Sequence, residues 1–285
     1  MHIHHDGLRI AGLDWGGDDS ADGGALPLLL LHPNGFCAGL FDPLARRVGD
    51  AFRPVGVDLR GQGATDAPAG HERFAYEHLA ADVLALLDAI GITRCVALGQ
   101  SLGGGVAITV DRLRPGLIER MVLCEAIAFP HMERSPATGA DDRVPLAAVA
   151  RKRRAVWPDR ATVVESYGSR PPLDALEPAA LAAYVRYGFN DRADGQVELA
   201  CDPEVEATVF EVTAGPPGAP SAWEHLDSLH ATAAVLCGDA SDLPHDWFDA
   251  QAERAGVGLT TLAGGHFFLQ EDTARAEHLV REHLA

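Results

Sequence analysis

Ser101 stands at the junction of two apolar runs, in Cys95-Val96-Ala97-Leu98-Gly99-Gln100-Ser101-Leu102-Gly103-Gly104-Gly105. A serine in Gly-x-Ser-x-Gly between a strand and a helix sits on a sharp turn, with its hydroxyl pushed beyond the strand end. The glycines at 99 and 103 leave room for the backbone to cross closely. The helix that follows directs N–H groups and a positive dipole end toward negative charge developing there. Such a hydroxyl is a nucleophile only if a base takes its proton and a third group fixes the base's tautomer.

His266, in Ala263-Gly264-Gly265-His266-Phe267-Phe268, directly follows the last strand-like run, and two glycines give its loop reach. It is the expected base. Among the other histidines, His131 borders a charged segment, His71 and His78 flank a helix, and His225, His230 and His245 lack a strand-end context. The orienting acid is sought at a strand end between Ser101 and His266. Val235-Leu236-Cys237-Gly238-Asp239-Ala240-Ser241-Asp242 offers two carboxylates. Asp239 adjoins the glycine and shapes the turn, whereas Asp242 lies farther into the loop and is preferred. Glu125, at the tip of Met121-Val122-Leu123-Cys124-Glu125, is the second choice. An oxyanion hole needs two N–H donors. Leu102, next to the nucleophile, supplies one by position. Asn34, in His32-Pro33-Asn34-Gly35-Phe36-Cys37, is the expected second, with Phe36 as the alternative. His32 is read as a structural histidine bonded within its own loop. Cys37 has no basic neighbour to lower its pKa.

The elements that must carry these groups alternate between apolar runs and helical patterns, which predicts a mostly parallel sheet covered on both faces. His2–His5 and Leu8–Trp15 read as a hairpin turning at Asp6-Gly7, followed by a loop over 16–24. Leu26–His32 reads as a strand buried on both faces. A helix over 41–48, a strand over 52–59 and a helix over 76–90 come next. The strand and helix around Ser101 follow, then a strand over 118–124. From about 129 to 220 prolines and charges become dense, and helical pieces come without strands between them, so an all-helical insertion is expected. Gly215-Pro216-Pro217-Gly218-Ala219-Pro220 reads as the return linker. A strand over 233–237, a helix over 247–255, a strand over 257–262 and a helix over 273–284 close the chain. The core is therefore assigned to 1–128 and 221–285.

With 285 residues, 47% apolar and 22% charged, the chain has the composition of a globular enzyme. A net charge of -18 repels nucleic acid and anionic membranes, so a small-molecule substrate is the expected partner. The oligomeric state has no sequence signature. The basic run Arg151-Lys152-Arg153-Arg154 is expected to be a solvated face or the pivot of a helix. No apolar stretch reaches the roughly 18–20 residues of a membrane helix, and the start lacks a secretory pattern. Five cysteines, three of them in strand-like runs, suit buried thiols in a reducing cytoplasm, the expected compartment. His2 and His4 share a strand face, but nothing completes a metal set, so a surface strand or part of a tag is expected.

Together these residues resemble the α/β-hydrolase superfamily over nearly the whole chain, the insertion's details apart. Gly99-Gln100-Ser101-Leu102-Gly103 matches the nucleophile elbow, and the order serine, acid, histidine matches Ser101, Asp242 and His266. His32-Pro33-Asn34-Gly35 is similar to the His-Gly oxyanion loop, with Pro33 in place of glycine. Asp58-Leu59-Arg60-Gly61-Gln62-Gly63 resembles the family's structural Asp-x-Arg-Gly-x-Gly turn. Gly238-Asp239-Ala240-Ser241-Asp242-Leu243 resembles the Gly-Glu-x-Ser-Asp loop of capped members, in which the aspartate after serine is the triad acid. Haloalkane dehalogenases and epoxide hydrolases are similar in outline but carry an aspartate nucleophile, which Ser101 is not.

The resemblance implies an eight-stranded, mostly parallel sheet flanked by helices, with the insertion as a cap. It implies a carboxylic ester hydrolase that cleaves a small ester or lactone through an acyl-enzyme, without metal or organic cofactor. Trp157, Tyr167, Tyr184, Tyr187 and Phe189 are the candidates to line the pocket, one or two of them facing substrate. Carbon–carbon bond hydrolysis, perhydrolysis, elimination or cyclisation by the same triad, or a receptor-like binding protein, are the alternatives.

Overall fold

Apolar runs without alternation become strands whose two faces are both covered. The computed structural model describes residues 1–17, 25–130 and 145–285. In chain order its strands are β1 (His2–His5), β2 (Leu8–Asp14), β3 (Leu26–Leu31), β4 (Phe52–Val57), β5 (Cys95–Gln100), β6 (Ile118–Cys124), β7 (Val156–Trp157), β8 (Phe189–Asp191), β9 (Val197–Leu199), β10 (Thr232–Gly238) and β11 (Leu259–Leu262). Eight of them form one sheet in the order β1-β2-β4-β3-β5-β6-β10-β11. β1 and β2, and β2 and β4, pair antiparallel, and every other pairing in this sheet is parallel. The opening hairpin turns at Asp6 (φ 52) and Gly7 (φ 75), the two positive angles that suit its right-handed twist.

The helices are α1 (Asp42–Val48), α2 (Tyr76–Ala89), α3 (Leu102–Leu113), α4 (Leu146–Ala150), α5 (Arg160–Tyr167), α6 (Pro178–Tyr187), α7 (Pro203–Ala214), α8 (Ala219–His225), α9 (His245–Arg254), α10 (Phe268–Glu271) and α11 (Thr273–Leu284). Period-two alternation divides β3 between two cores. Leu28 and Leu30 pack with Leu44 and Val48 of α1 and Leu279 and Val280 of α11. Leu29 and Leu31 pack on the other face with Leu79 and Val83 of α2 and Val106 and Val110 of α3.

Between β6 and β10 the chain is not purely helical, as its pattern had suggested. β7, β9 and β8 form a small antiparallel sheet beside α4 to α8. Strands of two or three residues are too short for alternation to register in a sequence. The expected return linker is shorter too, since α8 already starts at Ala219. Residues 18–24 of the expected loop, and His131, lie outside the described residues. Among the described residues, no helix is long and apolar enough to cross a membrane.

Candidate active site

Ser101 occupies the turn between β5 and α3 with φ 55 and ψ -119, a region that non-glycine residues seldom enter. The surroundings hold it there. Its N–H donates to the Cys124 carbonyl (2.9 Å), and its own carbonyl accepts from Gly104 (3.0 Å) and Ile127 (3.0 Å). A Cβ on Gly103 would lie 2.1 Å from the Leu31 carbonyl oxygen, and one on Gly99 would lie 2.6 Å from that of Gly103. Any larger residue at either position would push the helix off the sheet.

The second non-glycine residue with a strained backbone in this region is Glu125 (φ 47). The register explains its position. Gln100 pairs with Cys124 across β5 and β6, and Cys124 pairs with Leu236 of β10, so Ser101 and Glu125 are the next residues along neighbouring strands. The Glu125 side chain is fully buried. Its carboxylate accepts from the Gly238 N–H (2.8 Å), the Ser241 hydroxyl (2.7 Å) and Nδ1 of His266 (2.5 Å). Three donors satisfy a buried carboxylate that would otherwise be costly.

The carboxylate on Nδ1 of His266 is thus Glu125, where Asp242 was expected; Asp242 is an exposed residue on the wall of the adjoining cavity. The reason is topological. β6 lies between the nucleophile strand and β10, and a glutamate at its tip spans the short remaining gap. Ser241, from the loop that suggested Asp242, holds the Glu125 carboxylate.

His266 is carried by a loop tied down at several points. Asp239 accepts from the Gly264 N–H (2.9 Å), as its turn-shaping role implies, and Glu271 accepts from the Gly265 N–H (3.0 Å). Gln100, buried beside Ser101, donates to the His266 carbonyl (3.0 Å) and pairs with Gln270. Nothing in the sequence singled out Gln100. A polar residue at the end of an otherwise apolar buried strand was the available signal.

The loop after β3 is equally fixed. Nε2 of His32 accepts from the Leu59 N–H (3.0 Å), so the ring proton lies on Nδ1 and is donated to the Pro33 carbonyl (2.8 Å). Burial lowers the His32 pKa to about 4, and the ring stays neutral. The Gly35 N–H is taken by Gln62 (2.7 Å), and that of Phe36 reaches back to Pro33 (3.3 Å). The Asn34 side-chain amide donates to the Glu206 carbonyl (2.9 Å), so it is committed to α7. Leu102, first residue of α3, is one of the N–H groups that a helix cannot satisfy internally. Cys37 is fully buried, and burial, with the nearby Asp58 charge, pushes its thiol far above the ordinary range.

Ser101, Leu102, Asn34, Phe36 and His266 line one side of a cavity of about 1110 Å³, and residues of the 145–225 stretch line the other. Of the five aromatic candidates, Trp157 and Tyr167 reach it. Tyr184 and Phe189 pack into an apolar cluster with Cys37 and Phe267, and Tyr187 turns to Asp42. The basic run departs from expectation. Arg153 is inside, paired with Glu206 and donating to Tyr184 (2.8 Å) and Tyr167 (3.3 Å). Arg151 joins Glu204 (2.8 Å) and Glu211 (2.7 Å) of α7. Lys152, the one lysine in the sequence, is exposed on the cavity rim.

Comparison with known proteins bears on the family and the fold. Epoxide hydrolase 4 of Mus musculus is 38% identical over 80 residues, 28% of this chain and 21% of that protein. A non-heme chloroperoxidase of Streptomyces lividans is 34% identical over 159 residues, 55% of this chain and 54% of its own length. The chain therefore spans less than two thirds of these curated relatives. A solved E-2-(acetamidomethylene)succinate hydrolase shares the fold, with a TM-score of 0.81 at 15% identity, over 100% of this chain and 98% of that one. A family model described as "Alpha/beta hydrolase family" matches residues 28–277, and the chain belongs to that family.

Proposed function

We propose that this chain is a serine hydrolase acting on a small carboxylic ester or lactone. Ser101 attacks the carbonyl, Nε2 of His266 takes the hydroxyl proton, and Glu125 holds the imidazole and stabilises the imidazolium. The N–H groups of Leu102 and Asn34 bind the oxyanion. His266 gives its proton to the leaving alcohol, then draws one from water as that water attacks the acyl-enzyme, and passes it to the Ser101 oxygen as the acid leaves. The described residues of the 129–220 stretch serve as a cap over the cavity. One observation carries this reading above the rest: the His266–Glu125 pair opens onto the same cavity as a serine held in a strained elbow.

Hydrolysis of short-chain p-nitrophenyl esters tests it. Ser101→Ala is expected to abolish turnover, and an unchanged rate would refute the mechanism. Glu125→Gln is expected to lower kcat by about 10³–10⁴-fold. Asp242→Asn is expected to stay within about tenfold, acting through KM. The reverse ranking would return the acid role to Asp242. The chloroperoxidase-named relative favours one second reading, in which hydrogen peroxide replaces water at the acyl-enzyme. Peracid formation that competes with ester hydrolysis, and is lost with Ser101→Ala, would support it.

A further inference from the structure

At the far end of α3 from the nucleophile, three side chains from three elements converge on one point. Asp111 belongs to the last turns of α3, His225 ends α8, and His230 lies just before β10. Along the helix axis, Asp111 is about 14 Å from Leu102. The cluster plays no part in the chemistry described above. Its potential ligand atoms all lie within 4.8 Å of one another.

We propose that Asp111, His225 and His230 form a binding site for a divalent first-row transition metal, Zn²⁺ by the character of the ligands, with water completing the shell. Two nitrogens and a carboxylate oxygen are a zinc-type donor set. The spacing supports it. Oδ2 of Asp111 lies 3.3 Å from Nε2 of His225 and 3.4 Å from Nδ1 of His230. A charge-assisted hydrogen bond would draw such atoms to about 2.7–2.9 Å. Ligands about 2.0–2.1 Å from a tetrahedral ion stand roughly 3.3–3.4 Å apart.

The surrounding bonds fit the same reading. The Ser228 hydroxyl lies 3.0 Å from Nδ1 of His225 and 3.2 Å from the His225 carbonyl. When the hydroxyl donates to that carbonyl and accepts from Nδ1–H, Nε2 is left bare toward Asp111. This is the outer-shell contact that fixes the tautomer of a metal-binding histidine. Asp111 is fully buried and is aimed by the N–H groups of His230 (2.9 Å) and Ala231 (3.1 Å). His230 is about half exposed and gives an ion a route in from solvent. An ion here would staple α3 and α8 to the start of β10, where the chain rejoins the sheet.

The test is titration of the chelator-treated full chain with Co²⁺, read by its visible absorption, and with Zn²⁺, read by Tm. The expected result is one ion per chain, a tetrahedral Co²⁺ spectrum displaced by Zn²⁺, and a Tm raised by several degrees with excess metal. His230→Ala, at a half-exposed position that spares the fold, and His225→Ala are both expected to abolish the spectrum. Ester hydrolysis by His230→Ala should remain at the wild-type rate. A variant with His2 and His4 changed to alanine controls for the exposed amino-terminal histidines and should bind normally. Absence of binding, binding that survives His230→Ala, or binding lost with the amino-terminal histidines would each overturn the proposal.

Discussion

Two residues in this molecule carry a strained backbone for evident chemical reasons. Ser101 and Glu125 both sit at positive φ, at the tips of adjacent strands. Strain at both positions is held in place by hydrogen bonds from their neighbours, as is common at reactive sites. His32 makes the opposite kind of contribution, since it braces the loop after β3 only while neutral. Its pKa is about 4 in the folded chain and 6.5 when unfolded. Between these pH values the unfolded chain binds more protons, so stability rises with pH, and His32 weakens the fold as the pH falls from 6.5 toward 4. The loss amounts to about 3 kcal/mol across that window. Urea unfolding at a series of pH values is expected to show a flatter dependence for His32→Gln than for wild type. Parallel curves would refute the assignment. That Ser101, His266 and the loop after β3 would meet at one cavity was legible from residue type and spacing. The acid was not, because two strand-end carboxylates satisfy the same pattern, and only the strand order places Glu125 beside the nucleophile.

Elements are held in register by buried polar contacts as well as by packing. The turn after β4 is bound to α2 through Arg60, whose guanidinium pairs with Asp82 at 2.6 and 2.8 Å while both side chains are buried. His5 of β1 reaches the same carboxylate (2.8 Å), so one aspartate joins strand, turn and helix. Removing one partner strands a buried charge. Arg60→Met is expected to cost about 3–5 kcal/mol in urea unfolding, and Arg60→Met/Asp82→Leu to regain much of it. Equal losses in both variants would show that the arginine acts through packing alone. The sheet strands and most helices could be read from periodicity because each buries a continuous apolar stripe. β7, β8 and β9 escaped notice because two or three residues carry no period.

At the scale of the whole molecule, the 145–225 stretch is joined to the sheet at the loop after β3. Arg153 pairs with Glu206, Tyr184 donates to the Gly35 carbonyl (3.2 Å), and Asn34 donates to α7. A sequence shows four adjacent basic residues, but not that one of them is folded inward. Arg153→Met is expected to cost about 2–4 kcal/mol by leaving Glu206 unpaired, and to raise KM as the loop after β3 loosens. Arg153→Met/Glu206→Leu should recover stability without recovering KM. Unchanged stability and KM in the single variant would place the pair outside this role.

The solitary lysine on the rim has a practical side. Amine-directed coupling to a resin has a single side chain to find, Lys152, and would cork the mouth of the cavity. All five native thiols are buried, so a cysteine introduced on the opposite surface would give a handle that leaves the entrance clear.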